Sequence, residues 1–391
     1  MMNYEEHPMY DWLSETRRDF HKHPELGHQE FRTTKRIKEI LTDLGVEIQA
    51  FSDLKTGVVG LISCQPGEKT IALRADIDAL PMAELNDVPY KSVNEGVMHS
   101  CGHDCHATIM LGVAKKIMES DLTKQFKGKI KFLFQPAEET INGAELMIKV
   151  GALKNPDVDR IIGGHMNTDL QTGELGFFKK VSNASADSFD MTIQGQGVHG
   201  AFPHKGSDPI IAGAHFVAAV QSIVSRNLDP NASAVVTVGQ FQAGTAPNII
   251  PDQAVLTGTV RTFDNEVRDM IIHRMGEIVE SIEKGFQVEI DFQYKDGVPL
   301  TITHESVTSA VFDSAVKILG EENVQYYEPQ MGGEDYGLFT QIVPGTFLRI
   351  GCGNTGKGII HKGHSPHYDV DEAALPIGVE VFTEAVRSYL S

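Results

Sequence analysis

Residues 99–106 read HSCGHDCH, and residues 129–139 read KIKFLFQPAEE. Apolar spacing predicts that the first stretch leads into a helix over 108–118 and that the second begins as a strand over 129–134. The proline in QPAEE ends that strand, so the two glutamates that follow are expected in a loop. A strand that leads into a polar loop is typical of an α/β sheet, in which functional residues lie at the strand ends.

The same alternation surrounds these two stretches. A helix is predicted over 37–44, where Gly45 stops it, and a second short helix over 144–150. Strands are predicted over 70–74 and over 160–162. This pattern predicts an α/β domain with a mixed sheet flanked by helices.

The middle of the chain has a different order of elements. They are predicted as strand, helix, strand, strand, helix and strand, over 189–194, 208–226, 234–240, 254–261, 265–284 and 287–292. This βαββαβ order predicts a ferredoxin-like α+β domain inserted over residues 185–295. The α/β pattern then returns, so the first domain is expected to be discontinuous, over 1–184 and 296–391. Two domains suit 391 residues, since single cores stop growing at roughly 250–300.

The bulk composition is that of a globular protein. Hydrophobic residues make up 41% of the chain, and the net charge of -19 disfavours nucleic acids and anionic membranes as partners. No apolar run approaches the ~20 residues that span a bilayer, and the N-terminus lacks signal-peptide order, so a cytoplasmic location is expected. The four cysteines are too scattered for a disulfide framework and are expected to be reduced.

The side chains in 99–106 and 135–139 predict metal chemistry. Cys101 and His103 can both bind a divalent transition metal, and Glu138 and Glu139 can supply a ligand and a proton carrier. Taken singly, these residues have ordinary explanations as a buried thiol, a surface histidine and a solvated acidic turn. Their coincidence favours a hydrolytic metal centre, because so many polar groups are costly to bury without a metal.

Three further residues are candidates for the same centre. Asp76, in RADIDALP at 74–81, belongs either to surface salt bridges or to a pair in which it accepts the N–H of a metal-bound imidazole. His165 follows two glycines and a predicted strand. His364 lies in HKGHSPH at 361–367, and spacing does not select it over the other two histidines.

The inserted domain carries its own candidates. His199, Asn248 and Arg261 could each be an ordinary turn or surface residue. They could also bind a substrate carboxylate or stabilise an oxyanion, if the insert closes over the metals.

Several motifs together resemble one family. The chain is similar to the dinuclear metal-dependent amidohydrolases that include aminoacylases, hippurate hydrolase, indole-acetyl-amino-acid hydrolases and acetyl-diaminopimelate deacetylases. The likeness covers almost the whole length and rests on FHKHPEL (20–26), RADIDALP (74–81), MHSCGHDCH (98–106), QPAEE (135–139), GQGVHGAFPH (195–204), DP (208–209), NIIP (248–251), GEDY (333–336) and HSP (364–366).

The resemblance implies a role for each candidate. The implied metal ligands are Cys101, His103, Glu139, His165 and His364. Glu138 would be the catalytic carboxylate, and Asp76 would orient a metal-bound histidine. The inserted domain would be a lid that usually dimerises, with His199 near a substrate oxyanion and with Asn248 and Arg261 near the substrate. The chain departs from many relatives at MNT (166–168) and at Cys105, which bears on the shape of the substrate pocket.

The resulting hypothesis is hydrolysis of N-acyl amino acids to a carboxylate and a free amino acid. Two divalent ions, zinc or manganese with cobalt or nickel as further candidates, would activate a water whose proton Glu138 takes. A homodimer or higher homo-oligomer through the lid is expected. The alternatives are a dipeptidase or carboxypeptidase acting on short peptides, and a metal-dependent binding protein without catalysis.

Overall fold

The computed structural model describes residues 4–391. Within that range the chain forms ten α-helices and sixteen strands. The helices are α1 (Tyr10–Lys22), α2 (Phe31–Asp43), α3 (His103–Met118), α4 (Leu122–Gln125), α5 (Gly143–Lys149), α6 (Pro209–Ser222), α7 (Asn265–Phe286), α8 (Glu305–Leu319), α9 (Gly337–Thr340) and α10 (Ala374–Leu390). The strands are β1 (Glu47–Gln49), β2 (Val58–Ser63), β3 (Gln65–Asp76), β4 (Lys127–Gln135), β5 (Arg160–Gln171), β6 (Leu175–Phe177), β7 (Val181–Asn183), β8 (Ser185–Gln194), β9 (Val198–His199), β10 (Ala234–Ala243), β11 (Ile249–Ile250), β12 (Gln253–Thr262), β13 (Glu289–Val298), β14 (Thr301–Ile302), β15 (Val324–Tyr326) and β16 (Gly345–Gly353).

The chain divides into two compact units. The first comprises the described residues up to Ser182 together with Thr301–Glu328 and Asp335–Ser391. The second comprises Asn183–Leu300 and Pro329–Glu334. The predicted fold class, a discontinuous first domain with a second domain inserted into it, is confirmed. None of the helices in the described range is both long enough and apolar enough to cross a membrane.

An eight-stranded mixed sheet forms the centre of the first unit. Its strand order is β1-β2-β4-β3-β5-β16-β6-β15. The neighbours β4, β3, β5 and β16 run parallel, whereas β2 pairs antiparallel with β4 and β6 pairs antiparallel with β16. The central strands are almost continuously apolar and buried, as in Phe132–Phe134, because helices cover both faces of a sheet of this kind.

The two faces of this sheet bury separate cores. Phe132 and Phe134 pack with residues of α1, α3 and α10 on one face, and Leu133 packs with α5 and α9 on the other. This alternation follows from the two-residue period of a strand. The sheet thereby brings the carboxyl ends of β3, β4 and β5 to one edge.

The strand that contains His165 is longer than the sequence predicts. β5 runs over Arg160–Gln171, so the prediction of a strand that ends at 162 is wrong. Two glycines weaken the apolar signal there. A Cβ on Gly163 would lie 2.8 Å from the Tyr336 ring, so close packing explains that glycine.

The second unit has the predicted βαββαβ order, formed by β8, α6, β10, β12, α7 and β13. Its antiparallel sheet has the order β10-β12-β8-β13, and α6 and α7 share a core with it. Aspartates cap both helices: Asp208 accepts from Ile210 N at 2.9 Å, and Asp264 accepts from Glu266 N at 2.7 Å. Its role as a lid stays a prediction.

Three stretches expected in the first domain belong to the second unit, namely 183–184, 296–300 and Pro329–Glu334. Pro329–Glu334 is held there by Ala184 N, which donates to Gln330 O at 3.0 Å, and by Asn183 Nδ2, which donates to Gly332 O at 3.0 Å. Such pairing over a long sequence separation leaves no local signal.

Gly258 offers a test of packing in the second unit. A Cβ at Gly258 would lie 2.2 Å from Cζ of the buried Phe189, whereas a Cβ at Gly276 in α7 has no neighbour within 4 Å. We expect Gly258→Ala to lower the free energy of unfolding by about 1–3 kcal/mol. Gly276→Ala should raise the free energy of unfolding by about 0.5–1 kcal/mol, because alanine has less conformational freedom than glycine in the unfolded chain. Calorimetric unfolding checks both signs, and an unchanged Gly258→Ala transition would contradict the packing.

Candidate metal centre

Polar side chains gather where the parallel strands end. β3 ends at Asp76, β4 ends at Gln135 just before the two glutamates, and β5 carries His165. α3 begins at His103 beside the same edge of the sheet. The predicted location at the strand ends agrees for Asp76, Glu138 and Glu139, whereas His165 lies within β5 and not in a loop after it.

Six of the predicted residues lie together. The Sγ atom of Cys101 lies 3.3 Å from Nε2 of His165, and Nε2 of His364 lies 3.5 Å from Oε1 of Glu139. Nε2 of His103 lies 3.9 Å from that same Glu139 oxygen. Glu138 completes the cluster, with Oε2 at 4.0 Å from Nε2 of His103.

Unusual backbone conformations allow this convergence. Gly102 has a φ of 88°, and a Cβ there would lie 2.8 Å from the Tyr368 hydroxyl, so only glycine fits between Cys101 and His103. Ala137, just before the two glutamates, has a φ of 55°, and His364 has a φ of 64°. Positive φ at residues other than glycine is uncommon and clusters at functional sites.

The histidines are oriented for ligation. Nδ1 of His103 lies 3.2 Å from Oδ1 of Asp78, and Nδ1 of His165 lies 2.7 Å from the Met166 carbonyl. An imidazole that donates from Nδ1 has its lone pair on Nε2, which is then available to a metal. Nε2 of His103 is buried and makes no hydrogen bond within the described residues. That orphaned nitrogen fits a cation.

Asp76 lies at the centre but has a different partner from the one expected. Its Oδ1 lies 2.5 Å from Nδ1 of His106, and its Oδ2 accepts from Nη1 of Arg74 at 2.7 Å and lies 3.8 Å from Nε2 of His103. The hydrogen bond to Nδ1 of His103 is made by Asp78 instead. Since Arg74, Asp76 and Asp78 are all buried, the alternative of a surface salt bridge does not apply.

Sequence reasoning missed His106 and Asp78. His106 follows His103 by three residues on α3, a spacing that places both rings on one helix face. Its Nε2 accepts from Met166 N at 2.9 Å, which fixes the proton on Nδ1. Asp78 also accepts from Glu139 N at 3.0 Å, so it orients two candidate ligands. The sequence signal for Asp78 is its spacing of two residues from Asp76, which places both side chains on the same side of an extended segment.

Burial and charge shift the pKa values of the candidate ligands. Burial raises the pKa of Cys101 to about 12. Burial, reinforced by His106, holds the pKa of His165 well below the ordinary imidazole value, so His165 is neutral. Burial also disfavours imidazolium at His103, but Asp76 and Asp78 outweigh it and raise that pKa. A divalent cation is what would stabilise the Cys101 thiolate.

The donor set suits transition metals. Cys101, His103 and His165 offer three donors within 4.8 Å of one another, and Cys101, Glu139 and His364 offer a second such set. Tetrahedral zinc with bonds of about 2.0–2.3 Å separates its ligands by roughly 3.3–3.8 Å. The distances of 3.3 and 3.5 Å between donor atoms match that spacing. The residues present therefore fit a dinuclear centre.

The candidates of the second unit form a separate arrangement. β9 pairs with β11 so that His199 lies opposite Ile249, and Gly200 N donates to Asn248 O at 2.8 Å. His199 and Asn248 are therefore neighbours, and both are exposed. Arg261 lies on β12 of the four-stranded sheet, near the end of that strand, where it is opposite Ala186 on β8.

Removal of one thiol tests the ligand cluster. Cys101→Ala removes a donor shared by both sets, so we expect it to lower the number of metal ions retained after zinc loading and desalting. Cys64→Ala is the matched control, because Cys64 is a half-buried thiol outside the cluster. Mass spectrometry of the bound metal measures the difference. Equal metal content in the two variants would exclude Cys101 as a ligand.

Comparison with known proteins gives consistent matches. A family model described as Peptidase family M20/M25/M40 matches residues 72–388. An N-acetyl-L-cysteine deacetylase of Bacillus subtilis is 40% identical over 359 residues, 92% of this chain and 83% of the relative. Thermostable carboxypeptidase 2 of Saccharolobus solfataricus is 38% identical over 374 residues, 94% of this chain and 93% of the relative.

A solved structure is similar over nearly the whole length. It is described as a dinuclear metal binding peptidase from the M20 family, from Bacillus subtilis. It is 33% identical, covers 98% of both chains and has a TM-score of 0.86.

Proposed function

Since the chain belongs to Peptidase family M20/M25/M40, we propose that it is a metal-dependent amidohydrolase acting on N-acyl amino acids. It would cleave the amide bond to release a carboxylate and a free amino acid. The observation that carries the proposal is Nε2 of His103, a buried nitrogen without a hydrogen bond that lies within reach of Glu138 and Glu139. Once its proton is displaced, an imidazole nitrogen in such a position is suited to a divalent cation.

We assign metal binding to Cys101, His103, Glu139, His165 and His364. When bound, two divalent ions would polarise the substrate carbonyl and lower the pKa of a water toward about 7. Thiolate and imidazole donors favour zinc, with manganese next and with cobalt or nickel as further occupants. Four cysteines without a disulfide suit a reducing compartment, which supports a cytoplasmic location.

We assign proton transfer to Glu138. Its carboxylate lies 4.0 Å from Nε2 of His103 and forms a further candidate set with His103 and Glu139, but it is in neither ligand set that contains Cys101. In that position it can take a proton from the attacking water and return it to the departing amine.

We assign oxyanion stabilisation to His199, with Asn248 and Arg261 as contacts to the substrate. Ala201 N donates to Nδ1 of His199 at 3.1 Å, so the ring proton is on Nε2. An exposed N–H donor of this kind suits a developing negative charge. The guanidinium of Arg261 would suit the substrate carboxylate, because it can bind a carboxylate through two hydrogen bonds.

A carboxypeptidase acting on short peptides is the second candidate function, because one similar relative has that name. The two differ in the group on the carbonyl side of the scissile bond, which is an acyl group without an amine in one case and an amino acid in the other. A metal-binding protein without catalysis is not supported, because the family is one of hydrolases and Glu138 is present.

A substrate panel tests the proposed function. Zinc- or manganese-loaded protein is incubated with N-acyl amino acids and with dipeptides, and the released amino acid is measured. We expect release from the N-acyl substrates. Release from the dipeptides alone would transfer the assignment to a peptidase.

Two matched glutamate variants serve as controls in this assay. Glu138→Gln should lower kcat by about 10²–10⁴-fold while the metal content stays normal, because the base takes no part in ligation. Glu139→Gln should instead lose bound metal. Near-normal turnover by Glu138→Gln would overturn the assignment of the base.

We also propose that the second unit forms a homodimer through β10. This strand lies at one edge of its sheet, where unpaired backbone groups can extend the sheet into another chain. Val235 and Phe241 on β10 are each 39% exposed, and Ile211 on α6 is 47% exposed. Phe241 lies against Gly213 of α6 on the helix-covered face of the sheet, whereas Val235, opposite Arg261, lies on the other face, so this edge presents an apolar side chain on each face.

Charge on this edge tests the dimer. Val235→Lys combined with Phe241→Lys should shift the mass in solution from twice the chain mass of 42.9 kDa toward the single chain. Gln293→Lys is the control, because it adds a lysine to β13 at the opposite edge. Light scattering coupled to gel filtration measures the mass. A wild-type chain that already elutes as a monomer would contradict the proposal.

A further inference from the structure

The FHKHPEL motif at 20–26 and helix α1, whose last three residues belong to the motif, have no part in the chemistry proposed above. α1 nevertheless buries two ionisable side chains completely, since Arg17 and His21 have 0% exposure. A guanidinium excluded from water must be paired with acceptors. Its partners therefore indicate what this end of α1 does.

Arg17 and His21 both contact the residue that follows a candidate ligand. Oδ2 of Asp104 accepts from Nε of Arg17 at 2.8 Å and lies 2.8 Å from Nδ1 of His21. Oδ1 of the same carboxylate accepts from Cys105 N at 3.0 Å. Asp104 follows His103 directly, so these bonds fix the start of α3 and the turn that carries Cys101.

Arg17 also contacts the segment that carries His364. Its Nη2 donates to Oδ1 of Asp369 at 3.0 Å, and the Tyr90 hydroxyl donates to Oδ2 of Asp369 at 2.8 Å. Backbone N of His364 in turn donates to Ser100 O at 2.8 Å, next to Cys101. One guanidinium therefore joins two segments of sequence that hold different ligands.

Stability alone does not explain this arrangement. Replacing a buried ion pair with apolar residues is often neutral or stabilising, whereas a rigid, forked guanidinium fixes the geometry of its partners. Groups that orient metal ligands typically change metal affinity by 10–100-fold when they are removed.

We propose that Arg17 is a positioning residue that holds the turn of Cys101 and His103 at a fixed separation from the loop of His364, and thereby sets the affinity for metal. This inference rests on the metal centre proposed above. Asp104 and Asp369 are the two carboxylates through which it acts.

Arg17→Lys is the test, because it keeps the buried positive charge but loses the fork that reaches both carboxylates. Arg18→Lys is the matched control: Arg18 is the next residue on α1 and bonds Glu372 at 2.9 and 2.6 Å, but it has no bond to Asp104 or Asp369. Zinc affinity is measured for the full chain by competition with a chelating dye. We expect it to fall about tenfold or more in Arg17→Lys and to stay within about twofold in Arg18→Lys.

A thermal readout separates positioning from a purely structural role. If Arg17 only stabilises the fold, Arg17→Lys lowers the unfolding temperature equally with and without zinc, and zinc affinity is unchanged. If it positions ligands, the rise in unfolding temperature on zinc addition becomes smaller. Asp369→Asn is the second variant, since its side chain is 20% exposed and tolerates an isosteric amide. It decides the question if Arg17→Lys does not fold.

Unchanged zinc affinity in Asp369→Asn and in any folded Arg17→Lys protein would overturn the positioning role. Cys101→Ala, measured in the same titration, identifies the other failure. If Cys101→Ala binds zinc as the wild type does, the proposed centre is wrong. If Cys101→Ala loses zinc while the positioning variants do not, only the role of Arg17 is wrong.

Discussion

A buried guanidinium at the edge of the central sheet is the interaction on which the candidate centre depends. Arg74 donates from Nη1 to Asp76 at 2.7 Å, from Nη2 to Asp335 at 2.9 Å and from Nε to Gln135 at 2.8 Å. It thereby fixes the ends of β3 and β4 and the segment that begins at Asp335. Asp335 also accepts from Ala144 N at 2.9 Å, which anchors the start of α5 just beyond the glutamate loop.

The same edge gathers several carboxyl groups into one buried space. Burial opposes ionisation of Asp76, but His103, His106 and Arg74 outweigh it and hold the pKa of that carboxyl well below its usual range. Glu138 and Glu139 add two further carboxyl groups in the same space. Buried charges persist only when they are paired, and a divalent cation bound by Glu139 and the neighbouring histidines would supply such pairing. The charges that hold this edge of the sheet together are therefore the same charges that would bind the metal ions.

Much of this arrangement was predictable from the sequence. Apolar periodicity located the βαββαβ unit and the strands of the first unit, and the family resemblance is confirmed by the match over 72–388. The start of α3 was missed, because His103–His106 lacks an apolar period. The hydrogen bond between Arg74 and Asp335 joins residues 261 positions apart, so no local sequence pattern predicts it. His364 was selected over its neighbouring histidines by resemblance alone.

A thiol among the candidate ligands sets a condition that oxygen ligands would not. Burial raises the pKa of Cys101 to about 12, so the side chain is a thiol near neutral pH until a cation replaces its proton. Metal binding is then coupled to release of that proton, and affinity rises with pH. Cys105 lies four residues away on α3 and is fully buried, so it does not compete as an exposed nucleophile. With its pKa raised in this way, the Cys101 side chain has little thiolate character and oxidises slowly until a cation replaces its proton.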